Sequence, residues 1–297
     1  MDDGYFPRGS SVLRQVHEER AVGLFYGQRA LCIGALSPLN YVGTSEHTAA
    51  KLTPFKRLAH TAKAFEDVML GSRSEADTVL EAVRRMHARV NGVLPEDAGP
   101  FAAGTPYDAL DPALMLWTVT VMMDSAECFY DLLVRRLSPD EREALWREYV
   151  RFGELFGMPR SVAPSSYREF REHYEAALAG DALWLTDEAR YMGRVSAFEI
   201  PLPASHQPAK RIHDLIMLAS LPPRVRRIYR LKWTPAHALA ADVAIRVAKA
   251  ARRAAPAEAL RGRNARSFDL VAATEAKRIA GGRFTPQVPS LAAGKGR

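Results

Sequence analysis

The sequence predicts an all-α fold: a single globular multi-helix domain followed by a basic helical tail. Three observations carry this expectation. Apolar residues recur at three- and four-residue steps through most of the chain, capping residues stand where those runs begin, and strand-like alternation is nearly absent. No internal repeat is visible, which argues for one core rather than a stacked array.

The elements follow in order. Ser10 or Ser11 opens a first helix that runs through Val16 and His17. A second starts near Arg20, breaks around Gly27, and continues through residues 30–36 to a turn at Ser37-Pro38. Thr53 is the expected N-cap of a helix with Pro54 at its first position, where a missing N–H costs nothing, and Gly71 closes it. Ser74, with Asp77 three residues on, opens the next helix, which is expected to end at Asn91-Gly92. A loop rich in Gly and Pro over residues 92–106 leads to a strongly apolar helix from Asp111-Pro112 to about Leu137. Ser138-Pro139-Asp140-Glu141 then starts a helix that runs to Phe156-Gly157. Further helices are expected over residues 166–179, 186–196, 207–219, 222–229, 235–253 and 269–279. The main domain is placed at residues 1–235 and the basic, Ala-rich tail at 236–297.

Composition narrows the function classes. The chain of 297 residues is 47% hydrophobic and 25% charged, as in ordinary soluble globular proteins. Its two cysteines, Cys32 and Cys128, lie far apart without zinc-type spacing, which points to a reducing compartment and away from a disulfide scaffold. The acidic N-terminus lacks a signal-peptide pattern, and the longest apolar stretches are too short or too broken to span a bilayer, so a cytoplasmic location is expected. The net charge of +7 divides unevenly: twelve Lys/Arg against three acids from Arg246 onward give +9, leaving −2 elsewhere. Such an end reads as a solvated helix, with weak contact to an anionic surface as its further role and no specific nucleic-acid partner. No GxGxxG, P-loop, HExxH or Ser/Cys nucleophile signature is present.

His87 is the residue that asks for chemistry. Ala76, Val79, Leu80, Val83, Met86 and Val90 form an apolar stripe, and His87 falls on it, four after Val83 and three before Val90. An imidazole aimed at aliphatics needs either a hydrogen-bonded core arrangement or a metal. On the preceding helix, Phe55, Leu58, Ala62, Phe65, Val68 and Met69 form an apolar arc, with Arg57 at its edge, Thr61 inside it and His60 further out. Joined by Gly71-Ser72-Arg73, the two helices form a hairpin that can present a cation, a hydroxyl and an imidazole to one space. Asp124 and Glu127 interrupt the long apolar helix and, if buried, could orient His87 through its other ring nitrogen. Trp117, Met122, Met123, Phe129 and Tyr130 read as core or pocket wall, and His173, His206, His213 and His237 as surface residues.

Taken together, His47, Arg57-x-x-x-Thr61, His87-Ala-Arg-Val90-Asn-Gly92, Tyr107 with Asp111-Pro112 and Trp117, Tyr174, and Leu221-Pro-Pro-Arg224-Val-Arg226 with Trp233 resemble the bacterial oxygenase family typified by the latex-clearing protein (rubber oxygenase) and the mpaB-type oxygenase. The likeness covers roughly residues 10–235. It implies an all-helical domain enclosing a b-type haem whose iron is held by His87, with Val83, Val90 and Trp117 at the cofactor. It also implies that Arg57 and Thr61 stand on the distal side and steer dioxygen. The activity expected is that of a haem-dependent oxygenase or oxidoreductase acting on a small apolar, isoprenoid- or lipid-like substrate, with an electron donor as a further partner. A non-catalytic haem or apolar-ligand binding protein on the same fold is the alternative.

Three departures mark this chain. His60 stands directly before the threonine, where the rubber-cleaving members have a lysine that serves as distal ligand; a histidine there could close a bis-histidine state. Ser37 precedes Pro38, where many relatives carry histidine, and Thr48 follows His47, where the family has serine.

Overall fold

The protein is described from a computed structural model covering residues 4–47 and 53–282. Thr48 lies outside the described residues. Ser11 caps α1 (Val12–Glu18), its Oγ accepting from Arg14 N at 3.0 Å. Two helices follow, α2 (Arg20–Gly23) and α3 (Tyr26–Gly34). The break falls at Leu24-Phe25 rather than at Gly27, where the Phe25 ring is wedged between Phe129 and His213, with centroids at 4.9 and 4.5 Å. Ser37-Pro38 does not merely turn: it starts α4 (Pro38–Glu46), with proline at the first position.

The hairpin consists of α5 (Pro54–Leu70) and α6 (Arg73–His87). The capping box on α6 belongs to Ser72 and Glu75, not Ser74 and Asp77: Ser72 N donates to Glu75 Oε2 at 2.7 Å and Glu75 N to Ser72 Oγ at 3.3 Å. A glutamate reaches back to the cap N–H where the shorter aspartate does not. The helix stops at His87, short of Asn91-Gly92, because those residues enter a small antiparallel ribbon of β1 (Asn91–Val93) and β2 (Pro106–Asp108). Gly92 faces Tyr107 across it, and a Cβ there would sit 2.8 Å from the Tyr107 hydroxyl.

The remaining helices are α7 (Pro112–Leu133), α8 (Pro139–Leu155), α9 (Tyr167–Ala179), α10 (Asp187–Phe198), α11 (Gln207–Ser220), α12 (Pro223–Ile228), α13 (Pro235–Ala254), α14 (Ala257–Leu260) and α15 (Ala265–Ala280). Asp111 caps α7 and a Ser138–Glu141 box caps α8. Buried along most of its length, α7 is the axis of the molecule, with α2, α3, α8 and α13 packed on it. Trp146, Tyr149, Tyr174, Phe129 and Phe170 fill the core around it. The mostly helical architecture agrees with the all-α expectation, and among the described residues no helix is long and apolar enough to cross a membrane.

The C-terminal helices are stitched to the rest through buried acids. Glu19, 2% exposed, accepts from Arg252 at 2.9 Å. Glu66 accepts from Asn264 N at 2.7 Å. Glu275 supplies the N-terminal cap of α5, accepting from the Thr53 hydroxyl and from the Phe55 and Lys56 amides at 3.3 and 3.2 Å. Thr53 therefore does not cap α5 with its own side chain.

One core histidine sets an acid limit on stability. His17 is buried, its Nε2 is 2.6 Å from the Tyr149 hydroxyl, and burial pushes its pKa down to about 3. Between the ordinary value of 6.5 and about 3, the unfolded chain binds a proton that the folded one refuses. Stability is therefore lost as pH falls through that window, at up to about 1.4 kcal/mol per pH unit. His17→Gln keeps a hydrogen-bonding side chain without the titration. Urea unfolding of this variant should lose roughly 2–3 kcal/mol less than wild type between pH 6.5 and 4.5; equal losses would refute the assignment.

Candidate functional site

The last turn of α6 carries His87. Along that helix Ala76 and Leu80 are buried, while Val79, Val83, His87 and Val90 are half-buried, so the inward stripe exists but thins towards its end. Met86, expected on the stripe, is 55% exposed. The reason is packing: α6 lies at the edge of the fold against α5, so only a narrow face is covered.

The His87 ring has an unusual status. Its Nδ1 is buried and has no hydrogen-bond partner among the described residues. Burial lowers its pKa, so the imidazole is neutral near pH 7. Leaving a buried ring nitrogen unpaired costs on the order of 1–3 kcal/mol, and neutral imidazole is the form that ligates metal. Asp124 and Glu127 do not orient it. Both are buried, but Asp124 is held by Arg29 and Arg171 at 2.6 Å each, and Glu127 by Arg142 and by the Tyr167 hydroxyl at 2.6 Å.

Helix α4 brings the neighbouring pieces together. A Cβ on Gly43 would lie 3.4 Å from Val90 Cγ1 and 3.6 Å from the Tyr107 ring, ordinary contact distances that place this helix against the end of the hairpin. His47, at the end of α4, places Nε2 3.1 Å from the Tyr107 hydroxyl. On the same helix, Tyr41 donates to Glu188 at 3.0 Å and stands near Arg57. Burial pulls the Arg57 pKa down and Tyr41 opposes that shift. Arg57 is half-buried, as expected for the edge of the arc.

Thr61 and His60 are placed differently from each other in the sequence reading, yet both are exposed. Thr61 was expected inside the arc. The packing of α15 on α5 draws Ala59 and Glu66 inward instead, rotating the buried face away from Thr61. Trp117 is buried in the main core, where Nε1 donates to Gly34 O at 3.1 Å and the ring lies 6.5 Å from Tyr174.

Two arginines of the Leu221-Pro-Pro-Arg224-Val-Arg226 run have structural partners. Arg224 donates to the carbonyls of Ala179 and, at 2.7 Å, Gly180, closing the end of α9. Arg226 donates to Leu221 O at 2.7 Å and lies 4.4 Å from the centre of the Trp233 ring. His173 and His206 are exposed as expected, whereas His213 stacks on Phe25 with its side chain 14% exposed and His237 is half-buried. Sequence reasoning overlooked Tyr41 because residues 30–45 looked too broken to form a helix beyond Pro38. It also overlooked Arg29, although Tyr26, Arg29, Ala30 and Ile33 share one buried helical face.

Among the described residues, no group of three or more His, Cys, Asp or Glu could hold a metal ion. Haem iron needs only one imidazole from the protein, and His87 fits that demand: it is neutral, partly enclosed, and has a buried nitrogen unspent.

No curated protein and no solved structure matches the chain. Residues 14–250 match the family model described as ER-bound oxygenase mpaB/B'/Rubber oxygenase, catalytic domain, a match that begins within α1 and extends past residue 235 into α13. Because that match spans well over half of the sequence, from the helix that buries His17 to the helix packed on α11, the chain belongs to the mpaB/rubber oxygenase catalytic-domain family.

Proposed function

We propose that this oxygenase-family domain is a haem b-dependent oxygenase that uses dioxygen on a small apolar substrate of isoprenoid or lipid type. The observation that carries the reading is His87, a neutral imidazole with an unpartnered buried nitrogen in the region matched by the family. His87 would hold the iron, with Val83 and Val90 on either side of it along the chain and Trp117 of α7 as a further residue that would contact the cofactor. The haem, when bound, supplies the one-electron and oxygen chemistry that amino-acid side chains lack.

The chain's own residues supply the surroundings. Arg57 offers a permanently charged hydrogen-bond donor, set beside Tyr41 in a partly desolvated position where charge acts more strongly than in water. Thr61 offers a hydroxyl that both donates and accepts, one turn further along α5. His60, on the same turn, would offer a further imidazole to help hold the haem iron.

The test is oxygen uptake by the purified holoprotein against a panel of isoprenoids and unsaturated lipids, expected with at least one of them and absent in Arg57→Ala. A red protein that consumes no oxygen with any substrate would make this a non-catalytic haem protein. Colourless protein that takes up no added hemin would sink the haem reading altogether. For His60, the ferric wild type is expected to show a low-spin spectrum that turns high-spin in His60→Ala; a high-spin spectrum in both would end that role.

A further inference from the structure

Between α10, α11 and the start of α13 lies a cavity of about 520 Å³, within the roughly 300–1,000 Å³ typical of small-molecule sites. It uses a different face of α10 from the one that meets α5. Val195 packs with Phe55 and Leu58, whereas Arg194 and Phe198 line the cavity.

Its lining has two characters. Phe198, Leu215, Leu218 and Leu231 make an apolar wall. Arg194, Arg230 and Lys232 add three exposed cations, and no hydrogen bond or ion pair of their side chains occurs among the described residues. The acid in the lining, Asp214, is already held by Lys210 at 2.6 Å and faces His213 at 3.3 Å. The remaining cavity residue, His237, is turned to Thr234, with its Nδ1 2.7 Å from that hydroxyl. An apolar wall thus sits beside three cations that form no ion pair among the described residues.

A backbone observation points to the same place. Arg230 has φ of 55°, the one positive value at a non-glycine position among the described residues. It follows α12, where Leu231 N donates back to Arg226 O at 2.9 Å, in the slot after a helix end that glycine ordinarily takes. A side chain there strains the backbone, because its Cβ crowds the neighbouring carbonyl. The chain accepts this strain while presenting a guanidinium to the cavity.

We propose that this cavity binds an amphiphile with one anionic head, a long-chain carboxylate or alkyl phosphate. Its chain lies on Phe198, Leu215 and Leu218, and its head on Arg194, Arg230 and Lys232. Guanidinium groups meet both head groups through paired charge-assisted hydrogen bonds. His87 is not among the residues that line the cavity, and the proposal does not rest on the haem reading.

Calorimetric titration of the full chain, below the probes' micelle thresholds, tests it with dodecanoate, dodecyl phosphate, methyl dodecanoate and inorganic phosphate. At least one anionic amphiphile should bind saturably at one per chain, and the tighter of the two identifies the head group. The neutral ester and free phosphate should each bind at least about tenfold more weakly, a difference of about 1.4 kcal/mol. The double variant Arg230→Gly/Lys232→Ala removes two charges while giving the strained position the residue it favours. It should fold like wild type and bind about tenfold or more weakly, and Leu218→Trp should block binding by filling the wall. His87→Ala should bind as wild type does. Equal binding of acid and ester, undiminished binding by the double variant, loss of binding in His87→Ala, or no saturable binding of either anionic amphiphile would overturn the proposal.

Discussion

His87→Ala is expected to abolish haem retention while leaving the fold intact. The purified wild type should be red, with a Soret band that the variant lacks even after incubation with hemin. The fold should survive because the ring is half-buried, sits in the last turn of α6, and its buried Nδ1 makes no hydrogen bond that the substitution could break. Removing an unpartnered polar atom from the interior is close to neutral in the apoprotein or slightly stabilising. Helical circular dichroism and the midpoint of thermal unfolding, measured on apoprotein, should therefore match wild type. A Soret band of undiminished intensity in His87→Ala would exclude this residue as the iron ligand. A variant that fails to fold would contradict the packing described for α6.

The largest effect on stability is expected from Asp124→Ala. This carboxylate sits in the middle of α7 and is nearly enclosed. It joins the buried Arg29 guanidinium of α3 to Arg171 of α9, each at 2.6 Å. These neighbouring cations overcome the effect of burial and hold its pKa below the usual carboxylate value. Arg29 also donates to Ser125 Oγ at 2.9 Å and to Ser220 O at 3.0 Å, so with Asp124 three partners fix its position. Truncating Asp124 leaves that guanidinium charged and without its acid inside the protein, which costs about 3–5 kcal/mol. Guanidinium chloride unfolding should show a loss of this order, with a large part recovered when Arg29 is changed to Met in the same chain. A loss below about 1 kcal/mol would mean that the triad is solvated and contributes as little as a surface pair.

The two predictions differ in how far the sequence foretold them. The place of His87 on a half-buried helix stripe was legible because its signal is local, apolar spacing within one helix. Asp124 was visible as a polar interruption of an apolar helix, but its partners were not, since Arg29 and Arg171 lie on helices far away in the chain. The reading that aimed Asp124 at His87 failed for that reason. Thr61 failed similarly: the arc computed from α5 alone is correct for Phe55, Val68 and Met69, but it could not include the pressure of α15 on Ala59 and Glu66. The ribbon of Asn91–Val93 with Pro106–Asp108 was read as loop because three-residue strands carry too little alternation to register.

By itself, then, the sequence determined what is decided within about four residues. It set where helices start under Asp111 and Ser138, and to within one residue at Ser10 or Ser11, where proline opens them, and that an imidazole stands on the apolar stripe of α6. Caps, helical periodicity and proline geometry are short-range effects that any window of the chain contains. Only the tertiary structure decided which polar groups inside the protein are satisfied. Glu275 caps a helix more than two hundred residues before it, Asp124 is taken up by two arginines, and Arg230 is held strained beside an apolar cavity. The His87 nitrogen is left unpaired by the same assembly. Burial and pairing depend on which distant helices meet, and that is set by packing the whole core at once rather than by any local run of residues.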